Sequence, residues 1–207
     1  MLLETYVAAA YWGSRREPVD ACACRAGQFF VSLSQASGYL KGWRPLGRSR
    51  SEATQAEPID LSTDALVELF MKGRNRRDVG GEVIDELGYR MSVWNGGGNE
   101  EASSLTMKCG LYSAVAGLSN AIVLKLPPRF DTTSFDQVLQ VATALAQAWD
   151  PDWAIVASRS ALDLHANVGP FLDRALYVNS SMKVPGDIPQ NSLEQELEHG
   201  RLFLAPM

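Results

Sequence analysis

The chain has 207 residues and a mass of 22.6 kDa, enough for one domain with its own core. Hydrophobic residues make up 46% and charged residues 21%, an ordinary globular balance that argues against disorder, and no apolar stretch approaches bilayer-spanning length. A net charge of −5 and a pI near 5.1 argue against direct binding of nucleic acid, which calls for a basic surplus.

The N-terminal residues up to Trp12 are apolar but lack the basic start and hydrophobic stretch of a signal peptide, so they read as a first β-strand. Three cysteines, Cys22, Cys24 and Cys109, fit a reducing compartment, and together these features predict a cytoplasmic protein. Tyr11-Trp12-Gly13 closes the strand, coupling bulky rings to backbone that turns freely. Ser14 and Glu17 have capping-box spacing, and Pro18 suits a first helical turn. Val19, Cys22, Ala26, Phe29, Leu33 and Ala36 then recur at helical spacing up to a C-cap expected at Gly38. Residues 41–58 show no sustained period and read as a long surface connection.

A second helix is predicted over 62–72, with Leu66, Leu69 and Phe70 inward and Gly73 as its stop. Lys72, Arg74, Arg76 and Arg77 form a basic cluster, but Asp78, Glu82, Asp85 and Glu86 follow at once, which predicts local ion pairs rather than a phosphate site. From Gly88 the period becomes two: Tyr89, Met91 and Val93 lie on one side, Arg90, Ser92 and Trp94 on the other. Asn95-Gly96 signals a reversal, and the glycine run with Asn99, Glu100 and Glu101 predicts a loop longer than two residues. The return strand carries Leu105, Met107, Cys109 and Leu111 inward; a loop over 113–120 and a third strand over 121–126 complete an antiparallel meander. Ser134 and Gln137 repeat the capping pattern ahead of a helical stripe of Val138, Val141, Ala142, Leu145 and Trp149. Strands are expected at 153–157, within 171–178, and at 201–205 after a polar connection. This order predicts a single α+β domain over 1–207, a mainly antiparallel sheet with helices packed chiefly on one face.

Chemistry is sparse. His165 and His199 belong to no paired metal motif, so no metal or cofactor is predicted. If 163–165 were extended, Asp163 could orient His165 as a base for Cys109, which keeps a small cytosolic hydrolase open as an alternative. Gly96-Gly97-Gly98 is followed by glutamates, which disfavours phosphate; it is either a flexible hairpin tip or a recognition loop with Trp94 and Asn95 at its base. Residues 1–100 carry 12 basic and 13 acidic side chains, and residues 101–207 carry 7 and 11. Asp187, Glu194, Glu196 and Glu198 form a C-terminal acidic stretch, either a solvated face or, if it adjoins Glu100 and Glu101, a patch able to imitate nucleic-acid phosphates.

The ordered set Tyr11-Trp12-Gly13, the amphipathic helix after it, Asn75-Arg76-Arg77-Asp78, Leu87-Gly88-Tyr89 and Val93-Trp94-Asn95-Gly96 resembles the bacterial immunity protein 52 family. The long basic 41–58 connection and the acidic C-terminal segment depart from that family's pattern. The resemblance implies a non-enzymatic protein that neutralises a restriction-endonuclease-like nuclease toxin, such as a type VI secretion effector. It would bind the toxin domain and either occlude its substrate channel or block its active assembly. The partner-binding candidates are Trp94, Asn95, Glu100, Glu101, Asp187, Glu194, Glu196 and Glu198. An adaptor that loads an effector for secretion is a further alternative.

Overall fold

A computed structural model describes residues 4–47, 50–165 and 169–206; residues 1–3 of the expected first strand and 48–49 of the expected connection lie outside the described residues. In chain order the elements are β1 (Tyr6–Trp12), α1 (Val19–Ala36), β2 (Arg44–Pro45), α2 (Arg50–Gln55), α3 (Thr63–Lys72), a 3-10 turn (Asp85–Leu87), β3 (Tyr89–Trp94), β4 (Ser104–Cys109), β5 (Asn120–Lys125), α4 (Phe135–Trp149), β6 (Trp153–Ser158), α5 (Arg159–Leu164), β7 (Ala175–Asn179), β8 (Leu193–Leu197) and β9 (Gly200–Leu204). The strands form one sheet in the order β2-β3-β4-β5-β1-β6-β7-β9-β8, every pairing antiparallel. The α+β expectation is therefore met. No helix among the described residues is long and apolar enough to cross a membrane.

The centre of the sheet follows from the alanines of β1. Ala8 and Ala10 point toward the helices and Ala9 to the opposite face, all fully buried, and their small side chains let α4 lie close over β1, β6 and β7. α1 packs between α3 and α4 on that same face. Its Phe29 meets Trp149 of α4 edge-on at 6.3 Å, and Trp149 stacks on Trp12 at 5.7 Å. Each large side chain removed from water here contributes roughly 1.5–3 kcal/mol. On the opposite face, among the described residues, α5 and the segment around Phe171 add a small second cluster, with Ala9, Ile155 and Ala157.

Several local readings change. Ser14 does not cap α1; Pro18 takes the N-cap position, and its carbonyl accepts from the Cys22 N–H at 3.2 Å. Glu17 is drawn instead to Arg15 and Arg25, at 3.1 and 2.9 Å. Those two guanidinium groups donate to the carbonyls of Ala148, Trp149 and Asp150, so the carboxylate holds a pair of cations against the negative end of α4. α1 ends with Ser37 as its C-cap, one residue before the expected glycine. Residues 41–58 are not a bare loop: Trp43 is buried against Phe30 at 5.8 Å, β2 pairs with the end of β3, and α2 follows. Residues 163–165 are not extended, because Asp163 lies in α5, where Arg159 pairs with it one turn earlier at 3.0 Å. β8 occupies what reads in sequence as a polar connection. The Ser134 cap is present, its hydroxyl accepting from the Gln137 N–H at 3.4 Å.

Candidate protein-interaction surfaces

The acidic C-terminal stretch is a strand, not a coil. Leu193, Glu194, Gln195 and Glu196 are exposed along β8, and a two-residue turn at Glu198 and His199 returns the chain into β9. Glu194 receives Arg201 at 3.1 Å, and Arg201 also lies over the Phe203 ring. Glu198 sits 3.9 Å from His199, and Glu196 has no ion-pair partner among the described residues. Asp187 is exposed in the turn region that precedes β8.

Trp94 and Asn95 lie toward the other side of the sheet. Trp94 is half-buried at the end of β3, opposite Arg44 on one flank and Ser104 on the other, and its indole N–H is shielded without an acceptor among the described residues. The Asn95 amide is fully used within the protein. Its Nδ2 donates to the Tyr39 and Glu101 carbonyls at 2.8 and 2.6 Å, and its Oδ1 accepts from the N–H groups of Gly97 and Ser103 at 3.1 and 2.8 Å. That set fixes the shape of the loop between β3 and β4. Glu101 pairs with Arg129 at 2.9 Å, while Glu100 is exposed. Five strands (β5, β1, β6, β7, β9) separate β4 from β8, roughly 29 Å at strand spacing, so Glu100 and Glu101 do not form one patch with Glu194, Glu196 and Glu198.

A third surface runs across the sheet face away from α1 and α4. Strand register places Arg90, Lys108, Ala121, Tyr11, Trp153, Val178, Arg201 and Glu196 in a single row. Tyr11 and Trp153 lie ring to ring at 4.5 Å, and burial raises the Tyr11 phenol above its ordinary pKa. Two grooves of about 450 and 430 Å³ open on either side of Tyr11.

The Cys–His reading is overturned by placement. Cys109 is buried in the cluster beneath the helices, and burial with the neighbouring Cys22 raises its thiol well above the ordinary range. His165 stacks on Phe171 at 4.3 Å, and Phe171 belongs to the cluster on the opposite face of the sheet. A thiol held protonated by burial and set on the opposite face of the sheet from His165 is not activated by that imidazole. The basic cluster is spent locally as expected: Arg74 pairs with Asp85, Arg77 with Glu82 at 3.8 Å, and Lys72 with Glu68 at 3.8 Å.

Sequence reasoning missed Gln195 and the helix residues beside it. Gln195 faces a groove of about 410 Å³ that also takes in Gln35 of α1 and Gln140, Thr143 and Gln147 of α4. Nothing in the periodicity distinguishes these from solvated glutamines, since the signal lies in their convergence.

No curated protein matches the sequence. Among solved structures the fold is similar to the Pseudomonas aeruginosa T6SS protein PA0821, with a TM-score of 0.56 and 11% identity, covering 98% of this chain and 68% of that one; at this identity the likeness is one of fold. The family model for Immunity protein 52 matches residues 4–192, a span that takes in every element from β1 to β7. The match agrees with the resemblance carried by the tryptophan-glycine motifs, and the chain belongs to the Immunity protein 52 family.

Proposed function

We propose that this protein neutralises a cognate nuclease toxin by binding it and covering its substrate channel. The family implies a toxin as the protein partner. The observation that carries the finer reading is the row of exposed carboxylates, Glu194, Glu196 and Glu198, on and beside one edge of the sheet. A nuclease presents basic side chains to hold phosphates, so its substrate channel is the surface most complementary to such an edge. Steering of this kind raises association rates by roughly 10- to 1000-fold at low salt and weakens as ionic strength rises. Asp187 and Glu100 extend the negative field from their separate positions. Trp94 and Asn95 shape the far end of the molecule, where Asn95 acts through the loop it holds.

The test is DNA cleavage by the toxin encoded beside this gene, with the purified protein titrated against a fixed toxin concentration. Loss of cleavage at one equivalent is the expected result. A complex that still cleaves DNA would support the adaptor reading instead, and absence of any complex would remove the immunity reading for that toxin.

A further inference from the structure

β8 has β9 on one side and no strand on the other among the described residues. Its register decides what the bare side offers. Leu197 and Gly200 flank the two-residue turn, so they exchange both backbone hydrogen bonds, and alternate pairs Gln195–Leu202 and Leu193–Leu204 do the same. The backbone N–H and C=O groups of Glu194 and Glu196 therefore turn away from β9 toward the free edge. Their side chains share one face of the sheet, where Arg201 engages Glu194 and leaves Glu196 unpaired among the described residues. Gln195 points to the other face, into the groove shared with Gln35, Gln140, Thr143 and Gln147, which no charged side chain lines among the described residues.

Resting on the immunity reading, we infer that β8 is a docking edge that takes an extended segment of the toxin as a tenth strand. That segment carries basic side chains at two positions two residues apart and an uncharged polar one between them. Residues directly opposite in an antiparallel pair share a face. The positions facing Glu194 and Glu196 thus meet carboxylates, and the position facing Gln195 enters the glutamine-lined groove, whose amides donate and accept but hold no charge. Acidic side chains along an edge also keep two copies of that edge apart. The same glutamates that repel a second copy of this chain attract a basic strand, so one feature gives both solubility and partner choice.

The experiment uses the full chain and the nuclease domain of the toxin encoded beside its gene. Amide hydrogen exchange is measured with and without that domain, together with Kd for Glu196→Pro and Glu196→Gln. Proline at position 196 removes a donor that points to the free edge and leaves the ladder to β9 intact. The expected results are protection of the 194 and 196 amides in the complex, at least a tenfold rise in Kd for Glu196→Pro at an unchanged unfolding midpoint, and slower, less salt-dependent association for Glu196→Gln. If Glu196→Pro fails to fold, exchange in the wild type decides alone. A complex in which both amides exchange as in the free protein overturns the edge inference and leaves the immunity reading standing. A wild-type chain that neither binds nor inhibits the toxin removes both.

Discussion

The two edges of the sheet are finished in opposite ways. At the β2 edge the outermost strand is two residues long, and Arg44 from it donates to the Thr54 and Ala56 carbonyls at 2.9 Å, so the edge is tied into its own connection. Trp43 beside it is buried, and Asn95 locks the adjoining loop through four hydrogen bonds. At the β8 edge five residues run without a second strand neighbour among the described residues, with glutamates in place of cover. One edge is sealed by packing and hydrogen bonds, the other only by charge. A seal of packing is permanent, whereas a seal of charge opens to anything of opposite sign.

The largest effect should come from Gly200→Ala. An added Cβ would collide with the Val178 carbonyl and crowd the Tyr177 ring, forcing β9 away from β7 and carrying β8 with it. A loss of about 3 kcal/mol in urea unfolding is expected. Next is Asn95→Ala, which leaves the N–H groups of Gly97 and Ser103 and two carbonyls without their partner, at a cost of about 2 kcal/mol. If the sealed edge plays no part in binding, this variant should inhibit the toxin normally once folded; a loss of inhibition with an intact fold would move the docking surface to Trp94 and its loop. Glu101→Gln breaks only a half-exposed pair with Arg129 and should change stability by about 0.5 kcal/mol or less, measured the same way.

The smallest effect at neutral pH is expected from Tyr177→Phe. Burial pushes the Tyr177 phenol up to about 12, with the Asp150 carboxylate adding to the shift. A phenol raised above its unfolded value of 10.0 contributes stability that is complete below pH 10 and is lost as pH climbs toward 12. Wild-type stability should therefore fall across that window at the β7 side of the sheet, and Tyr177→Phe should flatten the alkaline limb of a melting-temperature profile. An unchanged limb would mean that other groups govern it.

Much of the fold was legible in the chain, but neither edge strand was. The period-two run from Tyr89 to Trp94 and the helical stripe from Val138 to Trp149 announce their elements because each buries one face only. β8 escapes that logic: it lies at an edge, both its faces meet solvent over most of its length, and Leu193 is 48% exposed, so no apolar alternation marks it. The capping spacing of Ser14 and Glu17 misleads for a different reason, since Glu17 gains more from two guanidinium groups than from one backbone N–H. The tryptophan-glycine motifs pointed to the family, yet the structure uses Asn95 internally, and the glutamine groove arises from three elements that no local window contains.

The place of β1 also sets the order in which the molecule can be born. Among the described residues the strand partners of β1 are β5 and β6, which lie more than a hundred positions later. β1 thus waits, apolar and unpaired, until synthesis has passed Lys125, a delay of roughly 5–25 s at typical synthesis rates. Closing that long loop before any central pairing forms makes folding slow for a chain of this size. The packing of α1 against α3 is local in sequence and is open to the chain before that central pairing can form.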